Sequence, residues 1–248
     1  MKILLIILIA LFPQFSHAFE RFIPLELFTG GKIRNDTEIK FTKANLVFGE
    51  KKKKKIIPII SFLILTLMVF QAWLGKTVVD SNLLPYRITI HMAMALIIVL
   101  GLIILLFISQ KKISPIPASQ LMKIFAISAL GLTIFQIGLG TQVRQFVDLK
   151  MHLQVSQWLD PAPLKFYFHR SLSLIVLAIH LTLFWMLRKV NLNLKIFNQI
   201  LGLIGLEIFT GILMFYLDFP FSSQPLHLII ASLLFGAQSL FILRIIVK

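Results

Sequence analysis

The sequence predicts an all-α protein that crosses a membrane several times. Hydrophobic residues make up 58% of its 248 residues and charged residues only 14%, which is more apolar surface than a soluble domain of this length buries. Six apolar runs are each long enough to cross about 30 Å of hydrocarbon as a helix. Lysine and arginine residues gather at alternate ends of these runs, which is the positive-inside pattern of a multi-pass membrane protein.

The six predicted helices follow one another closely along the chain. They lie near 56–75, 87–109, 119–142, 165–187, 196–217 and 225–244. Two of the loops between them, 110–118 and 188–195, are basic and are predicted to be cytoplasmic, whereas the loops 76–86, 143–164 and 218–224 carry little or mixed charge and are predicted to lie outside. Both ends of the six-helix block therefore face the cytoplasm, with membrane lipid around the helices.

The first 55 residues give conflicting signals. Residues 1–18 look like a secretory signal peptide. They have a basic start, an apolar run and the small-residue site Ser16-His17-Ala18. Cleavage there would place the following residues outside, yet the lysines at 51–55 favour the inside. Residues 19–55 are expected to be an irregular, basic region. Five consecutive lysines also imply an adenine-rich stretch in which a reading frame can slip.

The charge and the cysteine count exclude several classes of function. The formal net charge is +15, but it lies at the ends of apolar runs, so nucleic acid is not an expected partner. The chain has no cysteine, which excludes disulfides, iron–sulfur clusters and thiolate ligation of haem.

One pattern recurs across hydrophobic hairpins. A polar residue is followed four residues later by glycine and, 16 residues after the glycine, by histidine: Gln71, Gly75 and His91 in the first copy, and Glu207, Gly211 and His227 in the second. The segment 135–140 nearly repeats 70–75. Such fixed spacing indicates a duplicated unit, and a histidine repeated inside membrane segments indicates a cofactor site.

Three histidines are predicted at one membrane depth, near the outer ends of their helices: His91, His169 and His227. If helices three to six form one four-helix bundle, His169 and His227 can bind one iron from opposite sides, as a low-spin haem requires. Zinc is the competing ligand, although no third ligand is evident nearby. His180 lies about 16 Å deeper than His169 and is expected to be a hydrogen-bonded core residue, while His152 is expected to be solvated.

Three arginines near these histidines are candidate partners of haem propionates. They are Arg87, Arg144 and Arg170, and each could instead extend to the membrane interface. The glycines Gly75, Gly140 and Gly211 would let a macrocycle or a neighbouring helix approach closely, and ordinary helix packing explains them equally well. Glu207 occupies the position of Gln71 and Gln136, which favours a hydrogen-bonding role.

Taken in order, these motifs resemble the haem A synthases of bacteria and mitochondria. The matching stretches are Gln71-Ala72-Trp73-Leu74-Gly75, Val78-Val79-Asp80-Ser81-Asn82-Leu83 and His91; Gln136-Ile137-Gly138-Leu139-Gly140-Thr141-Gln142-Val143-Arg144; Phe168-His169-Arg170; and the last helix with His227. They cover roughly residues 56–248.

The resemblance implies a fold and an activity. That family has eight transmembrane helices in two pseudo-symmetric four-helix bundles. By resemblance, 119–248 is the complete C-terminal bundle with haem b between His169 and His227, and 56–109 is one hairpin of the substrate bundle, with His91 as a ligand of haem O or haem A. The implied reaction is oxidation of a haem O methyl group to a formyl group in the inner (plasma) membrane, with the haem ligands toward the outer face. It needs an electron donor, and haem O synthase or a second copy of the chain are candidate partners.

The chain also departs from the family. It lacks a counterpart of the first two helices of the family, so His91 has no visible partner. No catalytic residue is assigned. The chain as written is not expected to convert haem O to haem A unaided. Two other functions stay open. One is a non-catalytic bis-histidine cytochrome that passes electrons, and the other is a transporter or assembly protein whose histidines serve protons or packing.

Overall fold

The computed structural model describes six α-helices and the short connections next to them. The described residues are 50–81, 85–110, 115–153, 159, 161–189, 195–220 and 222–247. The helices are α1 (Glu50–Asp80), α2 (Pro85–Ser109), α3 (Gln120–His152), α4 (Leu164–Arg188), α5 (Lys195–Tyr216) and α6 (Ser223–Ile246). The expected signal peptide and nearly all of the irregular region 19–55 lie outside the described residues.

Two helices are longer than the sequence predicted. Helix α1 begins at Glu50 rather than near 56, so the lysine run forms its first turns, and lysine has a good helix propensity when its charge is solvated. Helix α3 continues to His152, ten residues past the predicted end. Its extension keeps the helical pattern, because Val143 and Val147 are buried and Arg144 pairs with Asp148 one turn later.

The helices pack as three consecutive hairpins. Helix α1 contacts α2, α3 contacts α4, and α5 contacts α6. Helices α3 to α6 also close into a ring, because α4 contacts α5 and α3 contacts α6. The hairpin α1–α2 joins this ring through α2, which contacts α3 and α6.

A buried polar cluster ties three helices of the ring together. The Gln238 amide on α6 donates to His180 Nε2 on α4 at 3.1 Å and to the Thr133 hydroxyl on α3 at 3.0 Å. His180 Nδ1 in turn donates to the carbonyl of Val176 at 2.7 Å. All three side chains of the cluster are less than 5% exposed. His180 is thus a hydrogen-bonded core residue, as its position in the sequence suggested.

The outer surface of this structure is apolar. Each of the six helices is long and apolar enough to cross a membrane, and large hydrophobic side chains such as Phe62, Trp73 and Trp185 are more than half exposed. An apolar surface of this kind is stable only in lipid. The prediction of six membrane-spanning helices is confirmed.

Candidate functional site

Each hairpin places a histidine ring against a glycine of the preceding helix. A Cβ atom added to Gly75 would lie 3.2 Å from Cε1 of His91, and one added to Gly140 would lie 3.1 Å from Cε1 of His169. The corresponding distance from Gly211 to Cε1 of His227 is 3.8 Å. Since α2, α4 and α6 begin a few residues before their histidines, the three rings lie at one end of the helices, called here the histidine end.

His91 is bound by the polar residue that precedes its glycine by one turn. The two N–H groups of the Gln71 amide donate to His91 Nε2 at 3.2 Å and to the His91 carbonyl at 3.1 Å. The other ring nitrogen, Nδ1, is buried without a hydrogen-bond partner among the described residues. The ring is therefore held at Nε2, the nitrogen through which histidine often binds metals.

His169 is held at the other ring nitrogen, Nδ1. Its Nδ1 donates to the backbone carbonyl of Gln136 at 3.1 Å, and no described group forms a hydrogen bond with Nε2. A backbone carbonyl on one ring nitrogen fixes the tautomer and leaves the lone pair of the other nitrogen for a metal. His169 therefore already has the hydrogen bonding of a metal ligand.

His227 has a partner at both ring nitrogens. The Thr210 hydroxyl lies 2.7 Å from Nδ1 and within 3.1 Å of the carbonyls of Leu206 and Glu207. The hydroxyl has a single proton, so it either donates to a carbonyl and accepts from Nδ1 or donates to Nδ1, according to the histidine tautomer. Nε2 then faces Oε2 of Glu207 at 3.1 Å, and a metal bound at Nε2 would have to replace that contact.

The rings of His169 and His227 lie edge to face inside the four-helix ring. Their centroids are 6.4 Å apart and their planes are inclined at 70°. Two imidazoles that bind one metal atom through bonds of about 2 Å have ring centres about 6 Å apart, so the observed separation fits a shared iron atom. The stacked rings of Phe166 and Phe215 (5.3 Å) join α4 to α5 at this same end.

Each hairpin also leaves a polar atom unsatisfied at the same position. Oε1 of Gln71, Gln136 and Glu207 is buried with no hydrogen-bond partner among the described residues. Buried polar atoms are nearly always hydrogen-bonded in folded proteins. Their recurrence beside three histidine rings therefore supports a site that takes a further group.

The three predicted propionate partners have different surroundings. Arg87 donates to the carbonyl of Thr77 at 2.9 Å and to the Tyr86 hydroxyl at 3.2 Å, which ties the ends of α1 and α2 together. Arg144 forms an ion pair of 3.5 Å with Asp148. Arg170 is exposed, lies over the rings of Phe166 and Tyr167 and has no ion pair among the described residues. Of the three arginines, Arg170 has the donors that are most available for a carboxylate.

Hydrogen bonds connect the first hairpin to the second beside the histidines. The hydroxyls of Thr89 and Thr141 are 3.2 Å apart, and the Gln145 amide donates to Thr89 at 3.3 Å. Thr89 precedes His91 by two residues and Thr141 follows Gly140. This contact fixes α2 against α3 at the histidine end.

Two functional contacts were not predicted from the sequence. Thr210 stands where the other two copies of the repeat have Leu74 and Leu139. This hydroxyl in place of an aliphatic side chain is the sequence feature from which its contact with His227 could have been predicted. Gln238 offered no such signal, because its role depends on α3 and α4 lying on either side of it.

The described side chains do not form a zinc-type site. No group of three or more His, Asp or Glu side chains that could hold a metal ion occurs within the described ranges. A haem iron needs only two protein ligands, because the porphyrin supplies the others. His169 and His227 are thus enough protein ligands to hold a haem iron.

The fold and the site define a multi-pass α-helical membrane protein with repeated histidine hairpins. Residues 40–239 match the COX15-CtaA family, described as cytochrome oxidase assembly protein. The chain belongs to this family, the haem A synthase family, and the resemblance found in its motifs is confirmed. Comparisons with curated proteins and with solved structures found no significant match.

Proposed function

We propose that this protein acts in haem A synthesis, the oxidation of a haem O methyl group to a formyl group for cytochrome oxidase. Membership of the family supports a place in cytochrome oxidase assembly. The observation that carries the proposal is the pair His169 and His227, whose ring centroids lie 6.4 Å apart inside a ring of four helices.

In this proposal His169 and His227 hold one haem b. Haem held by two imidazoles carries single electrons. The Gln136 carbonyl accepts from Nδ1 of His169, which leaves the Nε2 lone pair of His169 for the iron, whereas Nε2 of His227 would first have to release its contact with Glu207. Arg170, exposed next to His169, is the proposed partner of a propionate.

His91 is the proposed ligand of haem O or haem A. Its ring lies against Gly75 as the His169 ring lies against Gly140, and its Nε2 contacts the Gln71 amide. An iron at His91 would have to replace this amide contact, as an iron at His227 would have to replace Glu207.

We further propose the inner (plasma) membrane as the site of action, with the histidine end toward the outer face. The charge of the loops supports this orientation, because the basic loops follow α2 and α4 at the opposite end. An electron donor is required, and haem O synthase or a second copy of the chain are the proposed partners for transfer of haem.

The haem b site is tested by absorbance spectroscopy of the purified protein. Replacing His169 or His227 with alanine is expected to abolish the reduced-minus-oxidised spectrum of a low-spin haem, because each substitution removes one axial ligand. His152→Ala is the control and is expected to keep the spectrum. A full spectrum in both ligand variants would refute the assignment.

A non-catalytic cytochrome is the second candidate function. It is favoured by one observation: within the described residues His169 has a histidine opposite it, whereas His91 has none. Expression in cells that make haem O but lack their own synthase separates the two functions. Extraction of haem A from these cells would support synthesis, and haem b alone would support electron transfer only.

A further inference from the structure

We infer that Gly140 is a positioning residue that sets the orientation of the proposed haem-binding imidazole of His169, and that Gly211 has little such role at His227. The inference rests on the proposed haem b site between His169 and His227. It concerns how this chain holds its ligands in place.

The backbone conformation does not explain these glycines. None of the described glycines has a positive φ, and both residues lie inside helices. Alanine is more favourable than glycine in a helix interior. A helix gains from glycine here only if a neighbouring group needs the space of the missing Cβ.

The neighbouring group is an imidazole ring in both cases. Around Gly140, the three atoms nearest to an added Cβ are Cε1, Nδ1 and Nε2 of His169, at 3.1, 3.7 and 3.8 Å. The ring edge that carries both nitrogens therefore lies directly over the glycine. Nδ1 is fixed at the same time to the carbonyl of Gln136, one turn earlier on the same helix.

These two contacts together determine where Nε2 points. A methyl group at residue 140 would push Cε1 away, and the ring could move only by lengthening its bond to the Gln136 carbonyl or by turning about it. Either movement shifts Nε2, because Cε1 is bonded to both nitrogens. At Gly211 the same argument is weaker, since an added Cβ would lie 3.8 Å from Cε1 of His227, an ordinary contact distance.

The chain contains two kinds of matched control. An added Cβ at Gly138, two residues from Gly140 on the same helix, meets no atom within 4 Å. One added to Gly101 lies 3.2 Å from Cγ1 of Ile64, so Gly101→Ala crowds a helix contact as closely as Gly140→Ala does, but against an aliphatic side chain. Gly101→Ala thus measures the effect of crowding alone.

The test uses the full chain in detergent, loaded with ferric haem b. Electron paramagnetic resonance of the low-spin iron reports the orientation of the two imidazole planes, and a haem titration reports affinity. Gly140→Ala is expected to shift the low-spin signal and to weaken haem binding about tenfold, the scale of losing a group that orients a ligand. Gly211→Ala is expected to give little or no shift, and Gly138→Ala and Gly101→Ala none.

Two results would overturn the inference. An unshifted signal and wild-type affinity in Gly140→Ala would remove the positioning role while leaving the haem b site intact. An equal shift in Gly101→Ala would mean that helix crowding alone moves the iron signal. Absence of any low-spin haem in the unaltered protein would instead refute the proposed function, and this inference with it.

Discussion

Thr210→Val tests whether a hydroxyl orients His227, the proposed haem ligand on α6. Valine has nearly the shape of threonine, and Thr210 is 5% exposed, so the change removes the oxygen and little else. His227 Nδ1 then loses its hydrogen-bond partner at 2.7 Å, while Nε2 keeps its contact with Glu207. A metal at Nε2 would have to replace the Glu207 contact, so the metal-bound ring would lose the hydrogen bond that orients it.

The expected loss of haem affinity follows from the role of the lost hydrogen bond. Removing a group that orients a metal-binding histidine typically weakens metal binding about 10- to 100-fold, which is about 1.4 to 2.8 kcal/mol. A titration of the purified protein with haem b, followed by the Soret absorbance, measures this change directly.

Thr182→Val is the matched control for this experiment. The Thr182 hydroxyl also bonds to a carbonyl of its own helix, Ala178 at 2.9 Å, but it is exposed and contacts no histidine. Its replacement is expected to leave the affinity for haem within about threefold of wild type. Equal affinities in the two variants would refute the claim that Thr210 orients His227.

Two further predictions concern the fold and the topology. Reporter fusions between α3 and α4 should read as external and fusions between α4 and α5 as internal, and the reverse pattern would overturn the placement of the histidine end. In a double-mutant cycle, Gln238→Leu and Thr133→Val should show a coupling free energy of about 0.6 kcal/mol, the average for hydrogen bonds between membrane helices. The control is Ser232→Ala, because the Ser232 hydroxyl bonds to the Leu228 carbonyl of its own helix; it should show no coupling free energy with Thr133→Val. If Gln238→Leu and Thr133→Val also show no coupling, the hydrogen bond between these two side chains does not stabilise the protein.

The helices and their class were predictable because a membrane constrains sequence strongly. A helix that crosses hydrocarbon needs a continuous apolar run, so all six were found by length and composition. The ends of the helices were harder to place, because the lysines before residue 56 and the mixture of polar and apolar residues after 142 are compatible with either helix or loop. The extension of α3 depends on Val143 and Val147 being buried against other helices, which a single segment does not reveal.

The candidate site was partly predictable for a similar reason. His91, His169 and His227 stand out because a histidine in an apolar helix needs a compensating interaction, and the repeated spacing of glycine and histidine marks His91 and His227 as equivalent. The three arginines shared one prediction, yet the structure gives them different surroundings. Arg87 and Arg144 have protein partners, whereas Arg170 lies exposed over aromatic rings.

By itself, the sequence determined six apolar membrane helices between residues 56 and 244, with three histidines near one end of them, because hydropathy and spacing are properties of the chain. Only the tertiary structure decided what each ring nitrogen contacts: the Gln71 amide at His91, the Gln136 carbonyl at His169, and Thr210 with Glu207 at His227. The physical reason is that a hydrogen bond or a glycine contact between helices depends on their rotation and separation to within a few tenths of an ångström. Those quantities are set by packing across all the helices of the bundle.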